Sequence, residues 1–409
     1  MKKNKLIVQK YGGSSISTVE RIESVAGRIA SYRKKGFRLV VILSAMGNTT
    51  DNLISLARKI NPYPQERELD MLISTGEQIS ISLLAMALHK RNIDAVSFTG
   101  HQIGILADKS HTKAKIVSIN TRRLKKSLLD NKVIVVAGFQ GRTFDNEIVT
   151  LGRGGSDLTA VAIASVLKAD ICEIYTDVDG IYTADPRIVK KAKKLDCISF
   201  EEMLELASLG AKVIQARAVE VAKKYNIPLH LRSSFISKGG TVIMRKRRKL
   251  EDAVIEGITL NEDEVKITIC NVPDKPGMAA GIFKKLSSEK VNVDMIVQNV
   301  SHERITDISF TVGSSDARKA LQVTRDTAKR VKAGNVFFDK KISKVSIVGV
   351  GMKTHSGVAE TMFKALAQAK INIEMISTSE ICISCVVKKK MGREAVRILH
   401  KAFGLDKFR

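Results

Sequence analysis

An α/β fold with a largely parallel, covered sheet is what residues 1 to about 235 predict, and three observations carry that expectation. Short apolar runs of β type alternate with segments of helical periodicity. Glycine-rich junctions stand where those runs hand over to helices. From about residue 236 the composition shifts, and beyond that point the chain repeats itself.

The first run, Leu6-Ile7-Val8, reads as a strand and leads into Gln9-Lys10-Tyr11-Gly12-Gly13-Ser14-Ser15. Ser17-Thr18-Val19-Glu20 has a capping-box pattern, and Val19, Ile22, Val25 and Ile29 recur at helical spacing, predicting a helix over 18–34. Further strands are expected at 39–43, 133–137, 171–175 and 229–231. Helices are expected at 50–59, 76–90, 157–167, 200–207 and 211–224. The boundary follows at about 236–252, where Ser-Lys-Gly-Gly is succeeded by the basic run Arg245–Lys249. Residues 272–296 then align with 352–376 at a constant offset. Gly277 matches Gly357, Phe283 matches Phe363, Leu286 matches Leu366 and Asn292 matches Asn372. Each copy reads strand, turn, amphipathic helix, strand and further strand, a duplicated small α/β module rather than a solenoid.

Composition removes several classes. With 44% hydrophobic and 27% charged residues, the 409-residue chain is globular rather than disordered, and long enough for two or three domains. No uninterrupted apolar run approaches the roughly 20 residues that span a bilayer, so no membrane role is expected. Five scattered cysteines suggest a reducing, cytoplasmic setting. The net charge of +26 points toward polyanions, yet tryptophan is absent and no basic–aromatic interleaving occurs. The basic runs at 190–194, 245–249 and 388–390 therefore read as solvated surface, with a nucleic-acid patch as the alternative. A salt-dependent gel shift separates the two.

Chemistry gathers at the junctions. There is no P-loop, and no G-x-G-x-x-G follows a strand. Instead Lys10–Ser15, Ser44-Ala45-Met46-Gly47 and Leu151-Gly152-Arg153-Gly154-Gly155-Ser156-Asp157 leave backbone N–H groups bare for an anion. Arg153 adds a fork for a carboxylate or phosphate, while Asp157 could hold a lysine or join a metal site. Tyr175–Arg187 carries Asp177, Asp179 and Asp185 in an irregular acidic loop suited to Mg²⁺ or a nucleotide. Glu77 opens a helix, where it either answers the dipole or binds a substrate ammonium. Cys382 and Cys385 face opposite sides of a strand, and the seven dispersed histidines form no H-x-x-x-H pair, so no protein metal centre is expected.

Taken in order, QKYGGSS, LSAMGNTTD, STGEQIS, SFTG, VAGFQG, TLGRGGSD, YTDVDGIYTADPR and GAKVI make the chain similar to the aspartate kinases of the amino-acid kinase superfamily. The duplicated tail resembles their paired ACT domains. The resemblance implies a three-layer αβα sandwich over residues 1–245, a linker and strand at 246–264, and ferredoxin-like ACT domains at 265–335 and 336–409. It implies ATP-dependent phosphorylation of the L-aspartate β-carboxylate to 4-phospho-L-aspartate, with Mg²⁺ held mainly through ATP. Lys10 and Asp157 would be catalytic. The nucleotide would meet Lys10, Tyr11, Gly12, Gly13, Ser14, Tyr175, Thr176, Asp177, Tyr182, Asp185, Pro186, Arg187 and Lys212. The substrate would meet Ser44, Thr49, Thr50, Glu77, Arg153, Gly154, Gly155 and Ser156.

For the tail, the resemblance implies amino-acid effectors, lysine and threonine foremost. They would be held at Asp274, Lys275, Gly277, Gln298 and Asn299 in the first copy. In the second they would meet His355, Gly357, Val358, Ala359, Asn372, Ile373, Ser379 and Glu380. It also implies a homo-oligomer, or pairing with a regulatory subunit through the ACT domains. Other readings are a kinase of a different acceptor such as glutamate or a nucleoside monophosphate, and an inactive amino-acid sensor. Intact Lys10, Arg153 and Asp157 weigh against the sensor.

Overall fold

Strand Leu6–Tyr11 runs through the middle of an eight-stranded sheet, with Ile171–Thr176 on one side and Arg38–Leu43 on the other, both parallel to it. The computed structural model describes residues 5–211, 213–237, 239–245, 255–299, 304–349, 352 and 357–407. The chain divides into two compact units, 1–181 with 194–208 and 212–248, and 182–193 with 209–211 and 249–409.

In the first unit, Val133–Ala137 and Ala95–Phe98 extend the sheet beyond Arg38–Leu43. Leu229–Ser233, Thr241–Ile243 and Cys197–Ile198 extend the other side. Only the pairing of Leu229–Ser233 with Thr241–Ile243 is antiparallel. The inner strands are Val/Ile/Leu runs, buried almost throughout, as expected where both faces are covered. Helices Val19–Lys34 and Thr75–His89 cover one face over a core that includes Ile7, Tyr11, Leu39 and Val135. Helices Gly155–Leu167 and Ala216–Tyr225 pack together over the other, and the first of them is buried on nearly every side. The three-layer sandwich is thus present.

Details differ from expectation. The first helix is capped by Thr18, whose hydroxyl accepts from Arg21 N–H at 3.4 Å, one residue beyond the Ser17 of the sequence pattern. The helix expected from 211 begins at Ala216, because Gln215 is extended at its N-cap. Two features were not expected: helix Glu66–Ile73, and a small sheet of Ile116–Ile119, Ile105–Ala107, Gln140–Arg142 and Ile148–Thr150. Helices Glu66–Ile73 and Thr75–His89 run on into a 24-residue stretch that meets the length and apolarity of a membrane span, against expectation. Its 18-residue apolar window is 56% buried within the protein, and the stretch holds the fully buried Asp70, Leu84 and Leu88, which marks it as a core helix.

The second unit holds both copies of the repeat. In the first, Glu264–Pro273, Val293–Gln298, Ile305–Gly313 and Val336–Asp339 form an antiparallel sheet ordered 293–298, 305–313, 264–273, 336–339, with helices Met278–Ser288 and Ala317–Arg330 over its core. Strand Val336–Asp339 pairs with Glu264–Pro273, so it completes this module rather than opening the next at 336. Phe310 is fully buried here, edge-on to Phe283 with ring centroids 5.6 Å apart. Phe310→Ala is expected to cost about 3–5 kcal/mol, read as an earlier urea transition of this unit.

The second copy comprises Ile342–Gly349, Gly357–Gln368, Ile373–Thr378, Cys382–Lys388 and Gly392–Ala402. Its fourth strand is Ile255–Asn261, antiparallel to Ile342–Gly349, so the first copy is inserted into the second. A further segment also belongs to this module: Ala184 and Val189 sit in its core with Val358, Val396 and Leu399. Thr183 O accepts from Ile258 N–H at 2.8 Å, and Thr183 Oγ1 meets buried His400 Nε2 at 2.9 Å. The catalytic part therefore does not run unbroken from 1 to 245. Cys382 and Cys385 are both buried and free, and the described cysteines form no disulfide.

Candidate active site

Strands alternate their side chains, and the alternation decides what Leu6–Tyr11 presents to each layer. Tyr11 joins the core beneath Val19–Lys34, while Lys10 faces the opposite way, toward helix Gly155–Leu167. There Lys10 Nζ lies 2.7 Å from Asp157 Oδ1, in the first turn of that helix, with both side chains mostly buried. The pair fixes a cation at the carboxyl end of the central strand.

Around it the backbone closes in tightly enough to demand glycine. A Cβ on Gly13 would stand 2.7 Å from Ala45 O and 2.9 Å from Gly47 O, so the two turns pack backbone against backbone. Gly47 N–H donates to Gly13 O at 3.0 Å, and Ser44 N–H to Tyr11 O at 3.2 Å. Gly13→Ala is expected to push these turns apart and lower kcat at least tenfold, with global stability falling by only about 1–3 kcal/mol. Steady-state rates and thermal unfolding together check this. The Gly12 N–H donates to Tyr175 O at 3.1 Å and is not open to a ligand. The N–H groups of Gly13 and Ser14 open the turn Gly13–Ile16, where no partner exists within the turn. Ser15 Oγ and Ser234 Oγ are 2.5 Å apart, tying this turn to the end of Leu229–Ser233.

The Ser44–Gly47 turn also receives the start of helix Thr75–His89. Ser80 Oγ donates to Ser44 O at 2.8 Å, and Ala45 N–H donates to Glu77 Oε1 at 3.1 Å. Glu77 is 3% exposed, and its Oε2 has no hydrogen-bond partner among the described residues. Burial raises its pKa to about 8, with the Ala45 N–H acting in the opposite direction. A buried carboxyl oxygen left without a donor is costly unless a ligand supplies one. Ser44, Thr49 and Thr50 are half-buried beside it, and Thr49 Oγ1 donates to Met46 O at 2.6 Å.

Gly154 adopts φ 73° at the N-cap of Gly155–Leu167, and its C-terminal neighbours Gly155 and Ser156 are buried. Arg153, by contrast, carries an exposed guanidinium with no ion-pair partner among the described residues. Its carbonyl accepts from Gln215 Nε2 at 2.7 Å, and Arg217 Nη1 donates to Leu151 O at 2.8 Å.

The remaining nucleotide candidates separate. Thr176 ends the strand Ile171–Thr176 in the first unit and exposed Asp177 follows it, with Thr176 Oγ1 donating to Asp177 Oδ1 at 3.0 Å. Tyr182, Asp185, Pro186 and Arg187 belong to the second unit, and Arg187 pairs with Asp185 at 2.7 Å, which holds that carboxyl below its usual range. The rings of Tyr11 and Tyr175 stack 4.7 Å apart and are buried, so they offer a ligand only their backbone; burial raises both phenols well above their usual pKa. Beside them Gln9 Nε2, Tyr32 OH and Tyr175 OH all donate to buried Glu173, a network no local sequence signal announced. Lys212 lies outside the described residues, as does His355.

Among the effector candidates, Asp274, Lys275, Gly277, Gln298, Asn299, Asn372, Ser379 and Glu380 are exposed. Gly277 caps Met278–Ser288 at φ 93°. Ala359 and Ile373 are half-buried, and Val358 is part of the core. Among the described residues no three His, Cys, Asp or Glu side chains converge as a metal cage.

Comparison with known proteins extends this picture. The amino acid kinase family model matches residues 5–233, and an ACT domain model matches 265–327 and 345–403. An aspartate kinase of Pseudomonas putida is 53% identical over 402 residues, covering 98% of both chains. An aspartokinase of Corynebacterium glutamicum is 47% identical over 405 residues, covering 98% of this chain and 96% of its own. Among solved structures, the Clostridium acetobutylicum aspartate kinase superposes with a TM-score of 0.77 at 25% identity, over 97% of this chain and all of that one. Escherichia coli aspartokinase III, in complex with aspartate and ADP, shares the fold at a TM-score of 0.84 and 24% identity, covering 97% and 99%.

Proposed function

Because the chain belongs to the amino acid kinase family, and within it to the aspartate kinases with ACT domains, we propose an assignment of roles in the transfer of phosphate from ATP to L-aspartate. The observation that carries the amino-acid acceptor is Glu77: a buried carboxyl with one oxygen unpartnered, beside a turn rich in hydroxyls. It suits a substrate ammonium. Arg153, exposed and without an ion-pair partner among the described residues, suits the α-carboxylate as a bidentate fork.

The β-carboxylate is ionised at neutral pH and needs no general base. One of its oxygens attacks the γ-phosphorus, the bond from phosphorus to the bridging oxygen breaks, and ADP leaves with that electron pair. Lys10, held by Asp157, stabilises the negative charge on the transferring group. The amides of Gly13 and Ser14 and the N-terminus of Gly155–Leu167 supply further positive potential. Thr176 and Asp177, at the carboxyl end of Ile171–Thr176, hold the nucleotide. Mg²⁺, carried on the ATP phosphates, would offset their charge.

The ACT modules make the enzyme amino-acid-regulated, and lysine and threonine are the effectors we assign to their exposed loops. Val358 then serves as a wall of the second site rather than as an open contact. Assembly through ACT modules and a cytoplasmic location, in keeping with free cysteines, complete the reading. Trapping of acyl phosphate by hydroxylamine tests it. With ATP and Mg²⁺, hydroxamate is expected from L-aspartate and not from L-glutamate, and to fall when lysine and threonine are added together. Hydroxamate from glutamate alone would move the assignment to another acceptor; none from either, with ATP still bound, would favour the sensor.

A further inference from the structure

We propose that Asp70 is a positioning residue for substrate recognition, setting the loop that carries Arg153 without touching the substrate itself. Asp70 sits in helix Glu66–Ile73 and is fully buried. Both of its oxygens are engaged by groups far away in sequence. Oδ1 accepts from Thr150 Oγ1 at 2.6 Å. Oδ2 accepts from Thr112 N–H at 2.9 Å and faces His111 Nδ1 at 2.9 Å.

These three donors converge on one place. Thr150 is the last residue of strand Ile148–Thr150 and is followed directly by Leu151-Gly152-Arg153. The 111–114 stretch is laid against that same loop: Ala114 N–H donates to Thr150 O at 2.9 Å, and a Cβ on Gly152 would stand 3.1 Å from Thr112 O. Arg217 closes the ring, reaching Leu151 O and Ala114 O at 2.8 and 3.0 Å. Arg153 itself has no side-chain anchor among the described residues, so the backbone before it determines where its guanidinium is delivered. A carboxylate buried with three donors is a rigid hub, and freezing this backbone lowers the ordering cost when the α-carboxylate binds.

This inference rests on Arg153 as the carboxylate receptor, and the experiment keeps the two separable. Asp70→Asn, Arg153→Ala and the double variant are compared for KM of aspartate, KM of ATP and kcat. Asp70→Asn should raise the aspartate KM about tenfold and leave the ATP KM unchanged. In the Arg153→Ala background it should add nothing, because nothing remains to be positioned. Multiplicative effects in the double variant, an equal rise in the ATP KM, or an unchanged aspartate KM would each overturn the role of Asp70. An aspartate KM unaffected by Arg153→Ala overturns the receptor assignment and this inference with it. Should Asp70→Asn fail to fold, Thr150→Val removes one of the same bonds isosterically and takes its place in the cycle with the same outcomes.

Discussion

Replacing Lys10 with methionine lowers kcat by about 10²- to 10³-fold while the aspartate KM stays nearly constant. Among the described residues, Lys10 is the cation that the fold fixes at the end of the central strand by a buried ion pair, 2.7 Å from Asp157. Its charge acts where negative charge shifts during transfer, so its loss falls on the chemical step rather than on aspartate binding. Lys10→Arg does not rescue the rate. A Cβ at Gly12 would already lie 3.5 Å from Nζ, and the planar guanidinium cannot occupy the space of a compact ammonium. Initial rates at saturating ATP and aspartate check both variants. A kcat loss under tenfold in Lys10→Met would show that the amides and the helix terminus suffice alone.

Glu77→Gln raises the aspartate KM about 100-fold, and it also abolishes a pH dependence present in the native enzyme. Burial lifts the pKa of Glu77 in the empty site to about 8. Below that value the carboxyl is protonated and must lose its proton before it can pair with an ammonium. The aspartate KM should therefore fall about tenfold per pH unit as pH rises from 6 toward 8, then level. In Glu77→Gln the same profile should be flat. Stability moves in the opposite sense: the contribution of a raised carboxyl is fully present below its unfolded pKa of 4.5 and is lost as pH rises through 8. Aspartate should thus raise Tm more at pH 8 than at pH 6, and a uniform rise would contradict the ammonium assignment.

The parts of this site that were legible in the sequence are those built from short-range chemistry. Lys10, Gly13 and Gly155 stand where a strand or turn meets a helix, and glycine at such a junction has a backbone reason visible in one dimension. Asp70 was not legible. Its helix, ERELDMLI, carries four charges in eight residues and looks like solvated surface. Only the donors at 111, 112 and 150 reveal that this carboxylate is interior. The small sheet was missed because its strands are only three or four residues long, too short to show alternation. The alternation of Lys10 with Tyr11 was implicit in strand period, yet the partner of Lys10 lay on a helix more than 100 residues away. The repeat, in turn, displayed its own module but not its missing strand, since Ile255–Asn261 precedes the inserted copy.

The seating of Ala184 and Val189 in the core of the last ACT module bears on how these enzymes can be recombined. A chimera made by joining one catalytic half to a foreign tail near residue 250 would separate that core from two of its own apolar side chains. The graft that respects the packing is discontinuous: residues 182–193 and 209–211 should travel with the donor's tail. Exchange at a single crossover would leave the transplanted module lined against unfamiliar side chains, and its effector response would be retuned even where every effector contact had been preserved.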